Sequence, residues 1–180
     1  MIRIASQLTF CSPEKILRNN VLEIDDQKRI RKYFCLDNCS VEPPSTIFYN
    51  GILSTEILSL KQNFNELTLQ EITKEYRYID VDLISNTFEI LTTKKPLIID
   101  FGTNLTAEIN LKMKGLNSLM INFSIIEIIA ACVYFPAKIL GVPDLLTQNY
   151  PSQLLLWENI DLAKKKITNF TQIKEIDMLK

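Results

Sequence analysis

The chain contains no histidine. Imidazole is the commonest neutral metal ligand and the usual proton carrier near neutral pH. Its absence removes Ser-His-Asp and Cys-His arrangements together with histidine-based catalytic zinc sites. Glycine is scarce as well, at 4 of 180 residues, so there is no glycine-rich phosphate loop and little provision for left-handed turns. Net charge is also missing. Twenty basic residues stand against 21 acidic ones, for a formal charge of −1. That balance sets up no field to attract a polyanion, and nucleic acid is not an expected partner.

Targeting and membrane signals are absent from the pattern too. Met1-Ile2-Arg3-Ile4-Ala5-Ser6 lacks the basic, apolar and small-residue succession of a signal peptide. The most apolar stretch, 119–142, carries Asn122, Glu127, Pro136 and Lys138 and reads as a buried helix rather than a membrane span. The four cysteines, Cys11, Cys35, Cys39 and Cys132, show no paired metal or disulfide spacing, although Cys35 and Cys39 are near enough to be loop neighbours. They read as reduced thiols in a cytoplasmic protein. No cofactor is implied.

What remains is the makeup of a globular domain, with 47% hydrophobic and 23% charged residues, enough to bury one core with a small annex. The first third reads as strands. Ile2, Ile4, Leu8 and Phe10 alternate, Val21–Ile24 is an apolar run, and Asp25-Asp26-Gln27-Lys28 reads as a hairpin turn before the alternating Arg29–Phe34. Pro43-Pro44 marks a loop. Thr46–Tyr49 and Ile52-Leu53 supply a further strand, interrupted at Asn50-Gly51 by a turn or bulge. From about residue 66 the period becomes helical. Thr68 with Glu71 fits a capping box, and Leu83, Ile84, Phe88 and Leu91 fit a helical face. Leu97-Ile98-Ile99 is a short buried strand ending at Asp100, and 105–119 is a helix presenting Ile109, Met113 and Leu116. Ser124 with Glu127 opens a last helix over 125–140, kinked near Pro136 and stopped by Gly141 and Pro143. Leu154-Leu155-Leu156-Trp157 returns to strand, covered on both faces, and 168–176 is a final strand. Lys164-Lys165-Lys166 is a solvated basic run. The expected class is α+β: a small β-sandwich from 1–60 and 144–180, with a helical annex over 61–143.

Strands first, helices in the middle and strands last invite a comparison. Arg3-Ile4-Ala5-Ser6, Leu22-Glu23-Ile24-Asp25-Asp26 and Tyr49-Asn50-Gly51-Ile52-Leu53 resemble the start of the amidohydrolase superfamily, its cytosine-deaminase-like members in particular. Phe135-Pro136-Ala137-Lys138-Ile139-Leu140-Gly141 and Leu154–Leu162 resemble its end. The resemblance implies a composite sandwich whose strands lead into and out of a (β/α)8 barrel. It also implies metal-ligand positions, and these are not filled by ligands. The family's His-x-His falls on Lys61 and Asn63, and its Gly-Thr-Asp phrase falls on Gly102-Thr103-Asn104. An ammonium repels a divalent cation, and an amide neither replaces imidazole nor accepts a catalytic proton. A complete barrel needs roughly 250 residues, so the resemblance implies a barrel reduced to its first and last pieces.

The reading that follows is a non-catalytic amidohydrolase-related protein with a binding, regulatory or structural role. Two alternatives stay open. One is an enzyme with a new site at Lys61, Asp100 and Asn104; the other is a subunit completed by a barrel-bearing chain. An oxygen-ligand metal site at Asp80, Asp82 and Asp100 is the weaker rival to solvated or capping acids. Removing barrel strands would expose edges and apolar helix faces, so a homodimer burying residues between about 65 and 135 is expected.

Overall fold

A computed structural model of the chain describes residues 1–41, 43–83, 95–116, 123–142, 153–160 and 172–175. The fold is mixed α+β. It divides into two compact units, one of 1–56, 143–159 and 172–180, the other of 57–142 and 160–171.

Among the described residues the first unit is one six-stranded sheet. Its strands are β1 (Ile2–Ser12), β2 (Lys15–Ile24), β3 (Ile30–Cys35), β4 (Thr46–Ser54), β7 (Leu155–Glu158) and β8 (Gln172–Glu175), in the order β3-β2-β1-β4-β7-β8. The β1–β4 pair is parallel and the other neighbours are antiparallel. The expected sandwich of two sheets is therefore one continuous hydrogen-bonded ladder among the described residues. An irregularity in β1 explains how residues of both parities reach one core. Ile4 and Cys11 have opposite parity and would face opposite sides of a flat strand, yet both belong to one buried cluster with Leu22, Ile24, Ile30, Leu53, Leu154 and Leu156. The register with β2 shifts between Phe10 and Ser12, where β1 takes two steps to the one of β2, and this bulge at Cys11 changes the side it faces.

Sequence dictates the turns. Asp25 closes the β2–β3 hairpin. Its Oδ1 accepts from the main-chain N–H of Gln27 and Arg29, both at 2.9 Å, and its Oδ2 from Arg29 Nε at 3.1 Å and Arg31 Nε at 2.7 Å. The Arg29 N–H first, then the two guanidinium groups, pull this carboxyl down to about 2. At Asn50-Gly51 the strand continues through a bulge. Tyr49 pairs with Ser6 and Ile52 with Leu8, so β4 takes three steps to the two of β1. Gly51 has φ 147°, and a Cβ there would sit 2.2 Å from the Trp157 carbonyl oxygen, so the bulge lets β7 approach the backbone directly. Trp157 is fully buried, and its Nε1 donates to Ser54 Oγ at 2.8 Å. Leu154 to Trp157 are all buried, as expected of a strand covered on both faces.

The second unit contains α1 (Glu66–Glu75), β5 (Arg77–Asp80), β6 (Leu97–Asp100), α2 (Thr106–Leu116), α3 (Ile125–Ile129) and α4 (Phe135–Leu140). The α1 cap is Asn65, not Thr68. Asn65 Oδ1 accepts from the Thr68 N–H at 2.9 Å, and the expected box partner Glu71 binds Lys74 instead. The last helix begins as expected, with the Ser124–Glu127 capping box formed in both directions, and stops at Gly141 in the left-handed conformation. Between α3 and α4 the helix widens into a π-turn, Ala130–Tyr134, in which Phe135 N–H bonds the Ala130 carbonyl. Pro136 has no N–H and its ring crowds the preceding turn, so the expected kink is absorbed as a wider turn. Ile109 and Met113 form the buried face of α2, as their spacing implies. No helix among the described residues is long and apolar enough to cross a membrane. The expected helical face through Ile84, Phe88 and Leu91 and the run Lys164–Lys166 lie outside the described residues.

Gly51→Ala should destabilise the fold by about 3 kcal/mol, because the new methyl meets main chain in a left-handed conformation. A lower urea midpoint with an unchanged m-value would register this; an unchanged midpoint would contradict the close approach.

Candidate functional site

The polar residues singled out in the sequence converge at one end of the parallel pair β5–β6, where Asp80 lies opposite Asp100. Carboxyl ends of parallel strands are where open α/β folds place ligands, so the chemistry here decides the functional reading.

Asp100 is 1% exposed. Its Oδ1 accepts from Ser59 Oγ at 2.7 Å and from the Gly102 N–H at 2.9 Å. Its Oδ2 accepts from the Lys61 N–H at 2.7 Å and from the Tyr78 hydroxyl at 2.8 Å. A carboxylate offers about four acceptor positions, and all are used. Ser59 is held as fully. Its N–H donates to Asn104 Oδ1 at 2.8 Å, its carbonyl accepts from Asn63 Nδ2 at 2.7 Å, and its Oγ also accepts from the Gln62 N–H at 3.3 Å.

Two lysines complete the arrangement. Lys61 Nζ lies 2.9 Å from Asp80 Oδ2. Lys112 Nζ lies 2.6 Å from Asp82 Oδ1 and 2.6 Å from the Phe101 carbonyl. The Asp82 N–H donates to Asp80 Oδ1 at 3.0 Å, closing a small turn over the pair. Gly102 is left-handed at φ 65°, and a Cβ there would come to 3.0 Å from Asp82 Oδ2.

The electrostatics follow from these contacts. The hydrogen bond to Asp80, then its charge and those of Asp82 and Asp100, hold the Lys61 ammonium above its ordinary range. Lys61 is therefore a cation rather than a neutral amine, the opposite of what an amine nucleophile needs. Burial, followed by the bond to Asp100, pushes the Tyr78 phenol well up, so it stays a donor. Asp80 and Asp82 face ammonium groups. Among the described residues no group of three or more Cys, Asp or Glu side chains is placed to hold a metal ion.

The structure thus brings Lys61, Asn63, Asp100 and Asn104 into one cluster. The sequence reading missed Ser59, Gln62, Tyr78 and Lys112. A signal for Tyr78 was present: Tyr78 and Asp80 alternate with the buried Ile79, the mark of a strand. Comparison of the chain with protein-family models, curated proteins and solved structures finds no match.

Both raised groups make stability fall in alkali. Ordinary values are 10.0 for tyrosine and 10.5 for lysine. Each folded-state value lies higher, so each contribution is complete below the unfolded value and is lost as pH rises through the folded one. Urea midpoints should begin to decline near pH 9, where the Cys132 thiol, also held up by burial, ionises in the unfolded chain, and fall faster above about 10. Tyr78→Phe should cost about 1–2 kcal/mol at neutral pH by removing one donor from Asp100, and should flatten the alkaline decline. An unaltered alkaline limb in that variant would remove Tyr78 from this account.

Proposed function

We propose that this chain is a non-catalytic relative of the amidohydrolases, in which the strand ends that hold metal in that family have become a structural latch. Its role is then binding, regulatory or structural. The observation that carries the reading is the state of Asp100, whose carboxylate is filled by four donors from the chain itself. The positions that the resemblance assigns to ligands are engaged as well. Lys61 pairs with Asp80, while Asn63 and Asn104 secure the main chain of Ser59. Filled acceptors and a protonated amine leave neither a free base nor a nucleophile, which weighs against a new enzyme site at Lys61, Asp100 and Asn104.

Purified protein incubated with excess zinc and desalted should retain no stoichiometric metal by plasma mass spectrometry. It should turn over neither amide nor aminopyrimidine substrates, and Lys61→Ala should change neither result. One zinc per chain, together with turnover abolished in Lys61→Ala, would sink the proposal. Co-purification with a barrel-bearing chain would favour a completed complex instead.

Self-association is part of the same proposal. Leu67, Leu105 and Leu111, in the segment expected to be buried between copies, are 74%, 62% and 71% exposed, and apolar surface of this kind marks contact sites when contiguous. Light scattering at micromolar concentration should return the mass of two chains; the mass of one would refute the dimer.

A further inference from the structure

Outside this cluster the fold sorts the four cysteines into two kinds. Cys132 is fully buried in the π-turn, where desolvation pushes its thiol up, and Cys11 is 9% exposed within the sheet core. Cys35 and Cys39 are partly exposed, and they flank a 3-10 turn, Leu36–Asn38, at the end of β3. The Cys39 N–H closes that turn on the Leu36 carbonyl at 2.9 Å, and Asn19 Nδ2 ties it to β2 through Asp37 Oδ1 at 3.3 Å. The turn folds Cys39 back until its sulfur is 3.6 Å from the main-chain oxygen of Cys35. Cys35 Sγ makes a long contact, 3.8 Å, with the Arg18 carbonyl. Thiol-to-carbonyl contacts of this kind are weak, so little holds either sulfur in its present rotamer.

We propose that Cys35 and Cys39 are a redox pair that closes to an intramolecular disulfide in the presence of a low-molecular-weight disulfide such as oxidised glutathione. The thiolate of one cysteine attacks a sulfur of the reagent, forming a mixed disulfide and expelling one glutathione thiolate. The thiolate of the second attacks the protein sulfur of that intermediate and expels the other glutathione. The two thiol protons pass to solvent or to the released thiolates. The protein dithiol is oxidised, and one glutathione disulfide is reduced to two thiols. Two cysteines held in one short turn favour the second step, because it is intramolecular. The product staples the end of β3, which among the described residues lies at the edge of the sheet and pairs with β2 alone, and constrains the turn that anchors that edge.

The test treats the full-length native protein with excess oxidised glutathione, blocks remaining thiols with iodoacetamide and maps peptides by mass spectrometry. Wild type should lose two hydrogens, yield a Cys35–Cys39 cross-link and resist alkylation at both positions, with reduction restoring both. Cys35→Ser and Cys39→Ser should each accumulate a stable glutathione adduct on the remaining thiol. A glutathione adduct that persists on wild type, unchanged alkylation of both thiols, or a cross-link to Cys11 or Cys132 would overturn the proposal.

Discussion

A carboxylate taken out of water costs several kcal/mol unless the protein supplies what water did. Asp100 is the point in the second unit where that requirement is most severe. The residues that meet it come from three places in the sequence: Ser59 and Lys61 from the segment before α1, Tyr78 from β5, and Gly102 from just beyond β6. None of these segments is long enough to be ordered by local propensity alone. β5 and β6 are four residues each, and a two-stranded parallel pair is a poor structure by itself. The carboxylate gives them a common anchor, and its chain neighbours Ile98, Ile99 and Phe101 are fully buried. The same saturation that makes it an anchor occupies its acceptor positions with groups from the chain.

The first unit is organised on a different principle, close approach of main chain to main chain. The Asn50-Gly51 bulge in β4 brings the backbone of β7 in where a side chain would otherwise stand, and Trp157 fills the space alongside with its one polar atom bound to Ser54. A Trp indole buried without a partner for its N–H would lose much of what its area contributes. The serine is therefore as much a part of the core as the leucines around it.

Local chemistry was legible in the sequence and long-range pairing was not. The Ser124–Glu127 box, the Gly141 stop, the Ile109–Met113 face, the 25–28 turn and the Leu97–Ile99 strand each depend on residues within a turn or two, and each is present. The parallel partner of Leu97–Asp100 escaped because nothing near Arg77–Asp80 encodes a neighbour some twenty positions away. The helix start was misplaced because Asn65 competed with Thr68 for the same role, and both are good capping types. A sandwich was expected where one six-stranded sheet stands among the described residues, because strand patterns alone do not tell which strands share a ladder. At the candidate site, Lys61, Asn63 and Asn104 were noticed through a resemblance. Their actual partners, Asp80 and Ser59, are set by tertiary contacts that no spacing rule conveys.

The widened turn at Ala130–Tyr134 also sets direction. An extra residue in one turn shifts the helical phase by about 100°, so the two halves of the rod aim their side chains along different azimuths. Ile125, Ile128 and Ile129 are buried before the offset, and after it Phe135 meets the Tyr76 ring at a centroid distance of 5.9 Å. A proline that would elsewhere be a defect thus works as an indexing gear, resetting the azimuth from which the side chains beyond it project.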